Sequence, residues 1–330
     1  MLRYILLGLG LLTLTLLVWH IGLGNIYNAA SQLGPGAILV VLTPSLAMYA
    51  IEAYGWKVAL LPLAQHVPFD RLFAIRTAGE VVNMTTPTAY VGGEPLKAYL
   101  LQKHGVPMVE GLASVVIAKT TMTIAQVLFI LIGIALSVWI LGTNGSSRQI
   151  LFAAVLSMAL LAFGIAVFVF VQRYGAFTWV LQLVRKMGWK ISFLETREER
   201  LRSLDRTIRN FYSQHQGAFY ASIGLYLSGW LTEAVEVFVI IHYLGGPADM
   251  FSAISIGALS VFIKGGTFFI PGSLGAQDAG NLLLLRAFGY SDVTGITFAL
   301  LRRFRELVWI GIGLVCLAAL GKIGSSPPKA

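Results

Sequence analysis

The chain is a succession of long apolar runs separated by short polar stretches. Six runs, at 3–23, 35–62, 107–138, 150–172, 217–243 and 292–320, have about the 20 residues that a helix needs to cross a bilayer, or more. Two further apolar segments, 70–104 and 249–289, are broken midway. The first breaks between Thr85 and Pro95, around Pro87, Gly92 and Gly93; the second breaks between Phe268 and Asp278, around Pro271 and Gly275. Proline removes a backbone donor and clashes with the preceding turn, and glycine relaxes the chain. Each broken segment therefore predicts two half-helices joined by an irregular tip. At membrane depth such a tip must be buried in protein or face a wet cavity. Lipid leaves open strand edges without partners, so the expected fold is an all-α polytopic membrane protein, a single transmembrane domain over 1–330 with two re-entrant helical hairpins.

A polar skeleton returns along the chain at fixed spacing. Pro87, Glu94, Gly105, Gly111 and Lys119 reappear as Pro271, Asp278, Gly289, Gly295 and Arg303, each 184 positions on (271 − 87 = 184). The same register pairs Glu52 with Glu236 and, with opposite sign, Glu80 with Lys264. It predicts a first repeat over 33–124 and a second over 217–308. Three full crossings separate the starts of the two copies, and a hairpin leaves parity unchanged. Three is odd, so the second copy is expected to run inverted, as alternating access requires.

Composition and charge sharpen this picture. The chain is 57% hydrophobic and 12% charged, too few charges to cover a soluble surface. Its net charge of +9 is concentrated: nine basic residues fall between Arg173 and Arg209, between two spans. That is the bias of a cytoplasmic loop and argues against nucleic acid as a partner. With 173–215 as a cytoplasmic linker, both termini lie inside the plasma (inner) membrane. Loops 24–34 and 243–249 then fall outside, without Lys or Arg. Hairpin 70–104 enters from the cytoplasm and hairpin 249–289 from the other face. The N-terminus reads as an uncleaved first span. Within the linker, Phe177, Trp179 and Leu183 alternate with basic residues as in an interfacial helix, and Leu201, Leu204, Ile208 and Phe211 share one face of a second helix. A solvated connecting elbow is the plainer reading of this stretch. The single cysteine, Cys316, and five scattered histidines give no reason to expect a metal site or cofactor.

Charges inside the spans carry the chemistry. Lys119 lies about 18 Å into its span at roughly 1.5 Å per residue, and Arg303 reaches similar depth from the other side. A charge at the bilayer centre costs about 2.5–3.5 kcal/mol on insertion scales, so it needs a partner. A lipid phosphate is one candidate, and pairing with Glu52, Glu80, Glu236 or Glu306 is another. The second hairpin legs begin near Glu94 and near Asp278, where free helix N–H groups attract anions unless those acids cap the helices themselves.

The stretch from Gly79 to Leu101, with Asn83, Pro87, Gly92, Gly93 and Glu94, resembles the first signature of the flippase-like membrane family. That family includes the transmembrane region of lysylphosphatidylglycerol synthases and the hopanoid-associated membrane proteins. Pro271, Gly275 and Asp278 resemble its second signature, in which glutamate more often stands at the position of Asp278. The resemblance implies movement of lipid between leaflets, with these eight residues in the substrate region and no aminoacyl transfer, which belongs to a separate soluble domain. To them the buried charges add Glu80, Lys119, Lys264 and Arg303. The expected activity is transport of an anionic or zwitterionic lipid, with hopanoid, polyprenyl phosphate and phospholipid all open, by a protein that is not an enzyme, with lipid-biosynthesis enzymes as possible partners. Two alternatives stay open: a membrane-embedded lipid-modifying enzyme using Glu80 or Glu94 as acid or base, and a non-transporting scaffold of a lipid-synthesis complex.

Overall fold

The computed structural model describes residues 22–60, 67–86, 92–141, 147–186, 198–267 and 275–323, with Thr15, Trp19 and Ser273. The hairpin tips holding Pro87 and Pro271, most of the first predicted span and the C-terminal tail lie outside them. The described residues form eleven helices and no strand. In chain order these are α1 (Leu23–Leu60), α2 (Phe69–Thr85), α3 (Gly93–Gln102), α4 (Met108–Leu141), α5 (Ser147–Tyr174), α6 (Ala176–Lys186), α7 (Glu198–Gln214), α8 (Gln216–Tyr243), α9 (Met250–Gly266), α10 (Ala276–Ala287) and α11 (Asp292–Ile323). Among the described residues, three segments are long and apolar enough to cross a membrane: Met108–Ile140, Leu156–Tyr174 and Gln216–Tyr243.

Each broken segment contains two helices, α2 with α3 and α9 with α10, and each pair is in contact. Helix bounds follow the 184-residue offset closely. Helix α4 begins at Met108 and α11 at Asp292, and α3 and α10 end within a residue of register. The turn after α3 passes through Gly105 (φ 88°), and Val106 N–H donates to Leu101 O at 3.2 Å. The turn after α10 repeats it with Gly289 (φ 84°) and Tyr290 N–H to Leu285 O at 3.0 Å. Both are glycine C-caps, where a left-handed residue returns the chain to the last carbonyls.

The packing is symmetric on exchange of α1–α4 with α8–α11. Helix α1 crosses α8, α2 meets α11 as α9 meets α4, and α4 meets α8 as α11 meets α1. Small residues permit these close crossings, which in a membrane replace the hydrophobic drive with contact between backbones. A Cβ on Gly133 of α4 would sit 2.1 Å from the Ala258 methyl of α9; one on Gly313 of α11 would sit 2.4 Å from Val81 of α2. Gly229 of α8 lies against Glu52 of α1, and Gly55 of α1 against the Tyr226 ring of α8.

Two expectations change. The predicted outer loop at 24–34 is helical, continuous with α1. The linker is more than a solvated elbow. Helix α7 buries Leu204, Ile208, Phe211 and Tyr212 in the main apolar cluster, because its hydrophobic positions recur on one face and α4, α5 and α8 meet that face. Tyr212 hydroxyl and Thr120 hydroxyl both donate to Gln172 Oε1, at 2.6 and 2.9 Å, and so tie α7, α4 and α5 together. Asp205 of α7 caps α6 by accepting from the backbone N–H of Phe177 (3.2 Å) and Thr178 (2.8 Å). Trp179 and Leu183 of α6 remain exposed, as on an interfacial helix.

Candidate functional site

Seven acids and seven bases gather between the two halves. The acids are Glu52, Glu80, Glu94, Glu233, Glu236, Asp278 and Glu306; the bases are Arg76, Lys97, Lys119, Lys264, Arg302, Arg303 and Arg305. The cluster is formally neutral, which keeps net charge out of a region where an unpaired ion is costly.

In the first half the hub is Glu94. It accepts from Lys97 Nζ at 3.1 Å and lies 3.5 Å from Lys119 Nζ. Asn83 is 2% exposed and its amide is fully engaged. Its Nδ2 donates to Glu94 (3.1 Å) and Glu80 (3.4 Å), while its Oδ1 accepts from Gly93 N–H (2.7 Å). Asn83, not Glu94, therefore satisfies the start of α3, next to the N-cap residue Gly92. Gly93 permits this approach: a Cβ there would lie 1.9 Å from the Gly79 carbonyl oxygen. Glu80 also faces Lys97 at 3.7 Å, and Glu52 pairs with Arg76.

In the second half Arg303 takes the place of Lys119. Its guanidinium donates to both oxygens of Asp278 (2.8 and 3.0 Å), to Glu306 (2.7 Å) and to the Ser273 carbonyl (3.2 Å). Asp278 in turn accepts from the N–H of Gly275 (φ 75°) and so caps α10. Lys264 donates to Glu306 at 2.9 Å. Arg305 pairs with Glu236, and Arg302 with Glu233. Arg302 also reaches the Ser260 hydroxyl (2.8 Å), which donates to Asn281 (2.7 Å).

A cavity of about 270 Å³ lies between the halves. Its charged lining comes from Glu52, Arg76, Glu80 and Lys119 of one half and Glu233, Lys264, Arg305 and Glu306 of the other. Met48, Met84, Met122, Val261, Trp230 and Trp309 supply apolar wall, and Tyr49 stacks on Trp309 with ring centroids 3.6 Å apart. Such a mixture suits an amphiphile, with a few charges to orient it and adaptable methionines around it.

Of the residues singled out from the sequence, the cavity gathers Glu80, Lys119 and Lys264, with Glu52 and Glu306 from the candidate ion-pair partners. Glu94, Asn83, Gly92 and Gly93 stand behind Lys119. Asp278, Gly275 and Arg303 form a separate anchor off the cavity wall, and Pro87 and Pro271 fall outside the described residues. The expected equivalence of Lys119 and Arg303 thus divides: the Lys119 side chain is 32% exposed and that of Arg303 4%. The second half instead presents Lys264, at 29%. Sequence reasoning passed over Arg76, Glu233 and Arg305. The 184-residue offset matches them with Ser260, Tyr49 and Thr121, which carry no charge. The signal that finds them is matched spacing: Glu233 and Glu236 on α8 face Arg302 and Arg305 on α11, each pair three residues apart.

A helical bundle with apolar spans long enough to cross a bilayer fits an integral membrane protein. The chain belongs to the lysylphosphatidylglycerol synthase TM region family, whose profile matches residues 4–313. It is 26% identical over 333 residues to a UPF0104 membrane protein of Methanothermobacter thermautotrophicus, covering 98% of this chain and 96% of that one. No solved structure matches the chain.

Proposed function

We propose that the chain carries a membrane lipid between leaflets, the headgroup passing through the central cavity while the tails stay in the bilayer. The observation that carries this reading is the cavity itself, built by both halves and lined by charged and apolar groups together. The exchange-symmetric packing supports a two-fold relation between the halves, and the odd number of crossings between them supports inversion. The paired helices α2–α3 and α9–α10 support two re-entrant hairpins. The basic linker supports a plasma-membrane topology with both termini cytoplasmic. On this reading an anionic or zwitterionic lipid leaves chemically unchanged.

The test is translocation of headgroup-labelled phospholipids and of a polyprenyl phosphate in proteoliposomes. Gly265 lines the cavity with nothing within 4 Å of a Cβ built there, so Gly265→Phe fills the space without an initial clash. Flux in the native protein and at least a tenfold fall in Gly265→Phe is the expected result. Folded protein that moves none of these lipids, with or without an ion gradient, would overturn the reading.

A further inference from the structure

The corner where α5, α6 and α7 meet presents apolar and basic side chains together on the outside of the bundle. None of the described residues lining the cavity comes from these helices. The segment Leu156–Tyr174 of α5 is long and apolar enough to cross a bilayer, and its Leu160, Phe163 and Phe170 are exposed. An apolar face of that size marks contact with lipid or with a partner. The strip does not stop where the span stops. Phe170 lies against Tyr174, with ring centroids 4.4 Å apart, and Tyr174 is exposed. On α6 Trp179 and Leu183, one turn apart, are exposed in their turn, while Leu181 is buried beneath them.

Cations flank this strip. Arg173 stands in the last turn of α5, Lys186 ends α6, and Arg206 and Arg209 lie three residues apart on α7. All four are exposed, and among the described residues none of them has a carboxylate partner. Arg209 reaches the turn between α5 and α6: a Cβ on Gly175 would lie 3.6 Å from its Nη2. Between Arg173 and Arg209 the chain holds nine basic residues against four acids. Of those acids Asp205 is buried as the cap of α6, and Glu198 is taken by Arg202. Helix α6 has no acid at all. The Asp205 cap and the tie from Tyr212 to Gln172 hold α6 and α7 to the bundle, so the corner offers these groups from a fixed frame.

We propose that this corner docks on the anionic headgroups of the leaflet into which α5 runs. Tyr174, Trp179 and Leu183 enter the boundary between headgroups and acyl chains, and Arg173, Lys186, Arg206 and Arg209 meet the lipid phosphates. A zwitterionic surface would leave the excess positive charge unanswered. An acidic protein would match the charge but not an apolar strip that continues out of a membrane span. The proposal rests on the cytoplasmic placement of the linker and not on transport. Each Lys or Arg close to an anionic surface is worth about fivefold in affinity, so the four together make the corner selective for anionic lipid.

The test uses the full chain, purified in detergent, with dihexanoyl phosphatidylglycerol and dihexanoyl phosphatidylcholine as probes and calorimetry as the readout. The phosphatidylglycerol is expected to bind at least tenfold tighter. Lys186→Gln, Arg206→Gln and Arg209→Gln should each weaken it about fivefold, and the triple variant should lose the preference, with melting curves reporting the fold of every variant. Equal affinity for the two lipids, or an unchanged preference in the folded triple variant, overturns the proposal. A second measurement reads the depth of the corner in nanodiscs of phosphatidylcholine, with and without phosphatidylglycerol. Trp179→Cys in a Cys316→Ala chain, carrying a fluorophore, should be quenched by lipids with a nitroxide near the headgroup, and more strongly when phosphatidylglycerol is present. A label reached only by a water-soluble quencher places the corner in water and overturns the proposal. Polyglutamate that binds more tightly than phosphatidylglycerol, with the label in water, gives the surface to an acidic protein instead.

Discussion

Lys119 and Arg303 stand 184 residues apart on α4 and α11, yet their neutralisation is expected to act on different properties. Arg303 is 4% exposed and, among the described residues, makes four hydrogen bonds, two of them to Asp278 and one to Glu306. Removing Arg303 leaves Glu306 buried but still paired with Lys264, and Asp278, which is 34% exposed and partly solvated, so the cost falls below that of a fully buried pair, to about 1–3 kcal/mol. Lys119 is one-third exposed, 3.5 Å from Glu94, and Glu94 keeps Lys97 and Asn83 without it. Its loss resembles that of an exposed pair, about 0–1 kcal/mol. At roughly 2 °C per kcal/mol for a chain of this size, Arg303→Gln should lower the melting temperature by about 2–6 °C and Lys119→Gln by no more than about 2 °C. Flux should show the opposite order, lost in Lys119→Gln and retained by Arg303→Gln below its melting point. The assay is a melting curve in detergent beside translocation in vesicles. Adding Asp278→Asn to Arg303→Gln should recover part of the loss, since both charges of that pair are then gone. Equal destabilisation by Arg303→Gln and Lys119→Gln would refute the division into an anchor and a cavity cation.

Gly93→Ala places a methyl 1.9 Å from the Gly79 carbonyl and should part the legs of the first hairpin, seen as a lower melting temperature, while Gly265→Ala, in open space, should melt like the native protein. Asn83→Leu removes the amide between Glu80 and Glu94 and should depress flux more than Asn83→Gln, measured at equal amounts of folded protein in vesicles. Asp205→Ala deletes the cap of α6 and should cost about 1 kcal/mol in a melting curve. Asp249 sits on the loop before α9; slight burial raises its carboxyl, but hydrogen bonds from Ser252 and Phe251 outweigh this and hold it below the usual range. Its contribution is therefore present above the unfolded-state value and lost as pH falls through the lowered folded-state value, an acid-side dependence that Asp249→Asn should remove from melting curves.

Local chemistry made the breaks between helices legible. Proline and glycine marked the breaks between α2 and α3 and between α9 and α10, and the offset matched Glu94 with Asp278 and Lys119 with Arg303. The ion pairs Glu94–Lys119 and Asp278–Arg303 were not foreseen: of the partners the sequence offered, only Glu306 meets Arg303. Gly105 and Gly289 were visible for the same reason, since a left-handed turn favours glycine wherever the two copies require it. Orientation was not legible. Depth along a helix follows from counting residues, but whether Arg303 faces the cavity or the Ser273–Asp278 turn depends on its rotation and on neighbours distant in sequence. The burial of α7 was half visible: its apolar face stood out beside the charges, while the helices that receive that face come from elsewhere in the chain.

The timing of synthesis gives the cross-bundle ion pairs a further meaning. Glu52 finds Arg76 24 residues later, within the next helix, whereas Glu236 awaits Arg305 for 69 residues. At about 5–20 residues per second, the second interval lasts roughly 3–14 seconds. Throughout it α8 carries Glu233 and Glu236 in an apolar span whose cations have not yet been made. That helix must wait at the insertion machinery, accept protons on its acids, or lean on α1 and α4, which are already in place. A chain truncated ahead of Arg302 captures this stage, and retention of its α8 in the membrane reports whether the first half alone can shelter the unpaired acids.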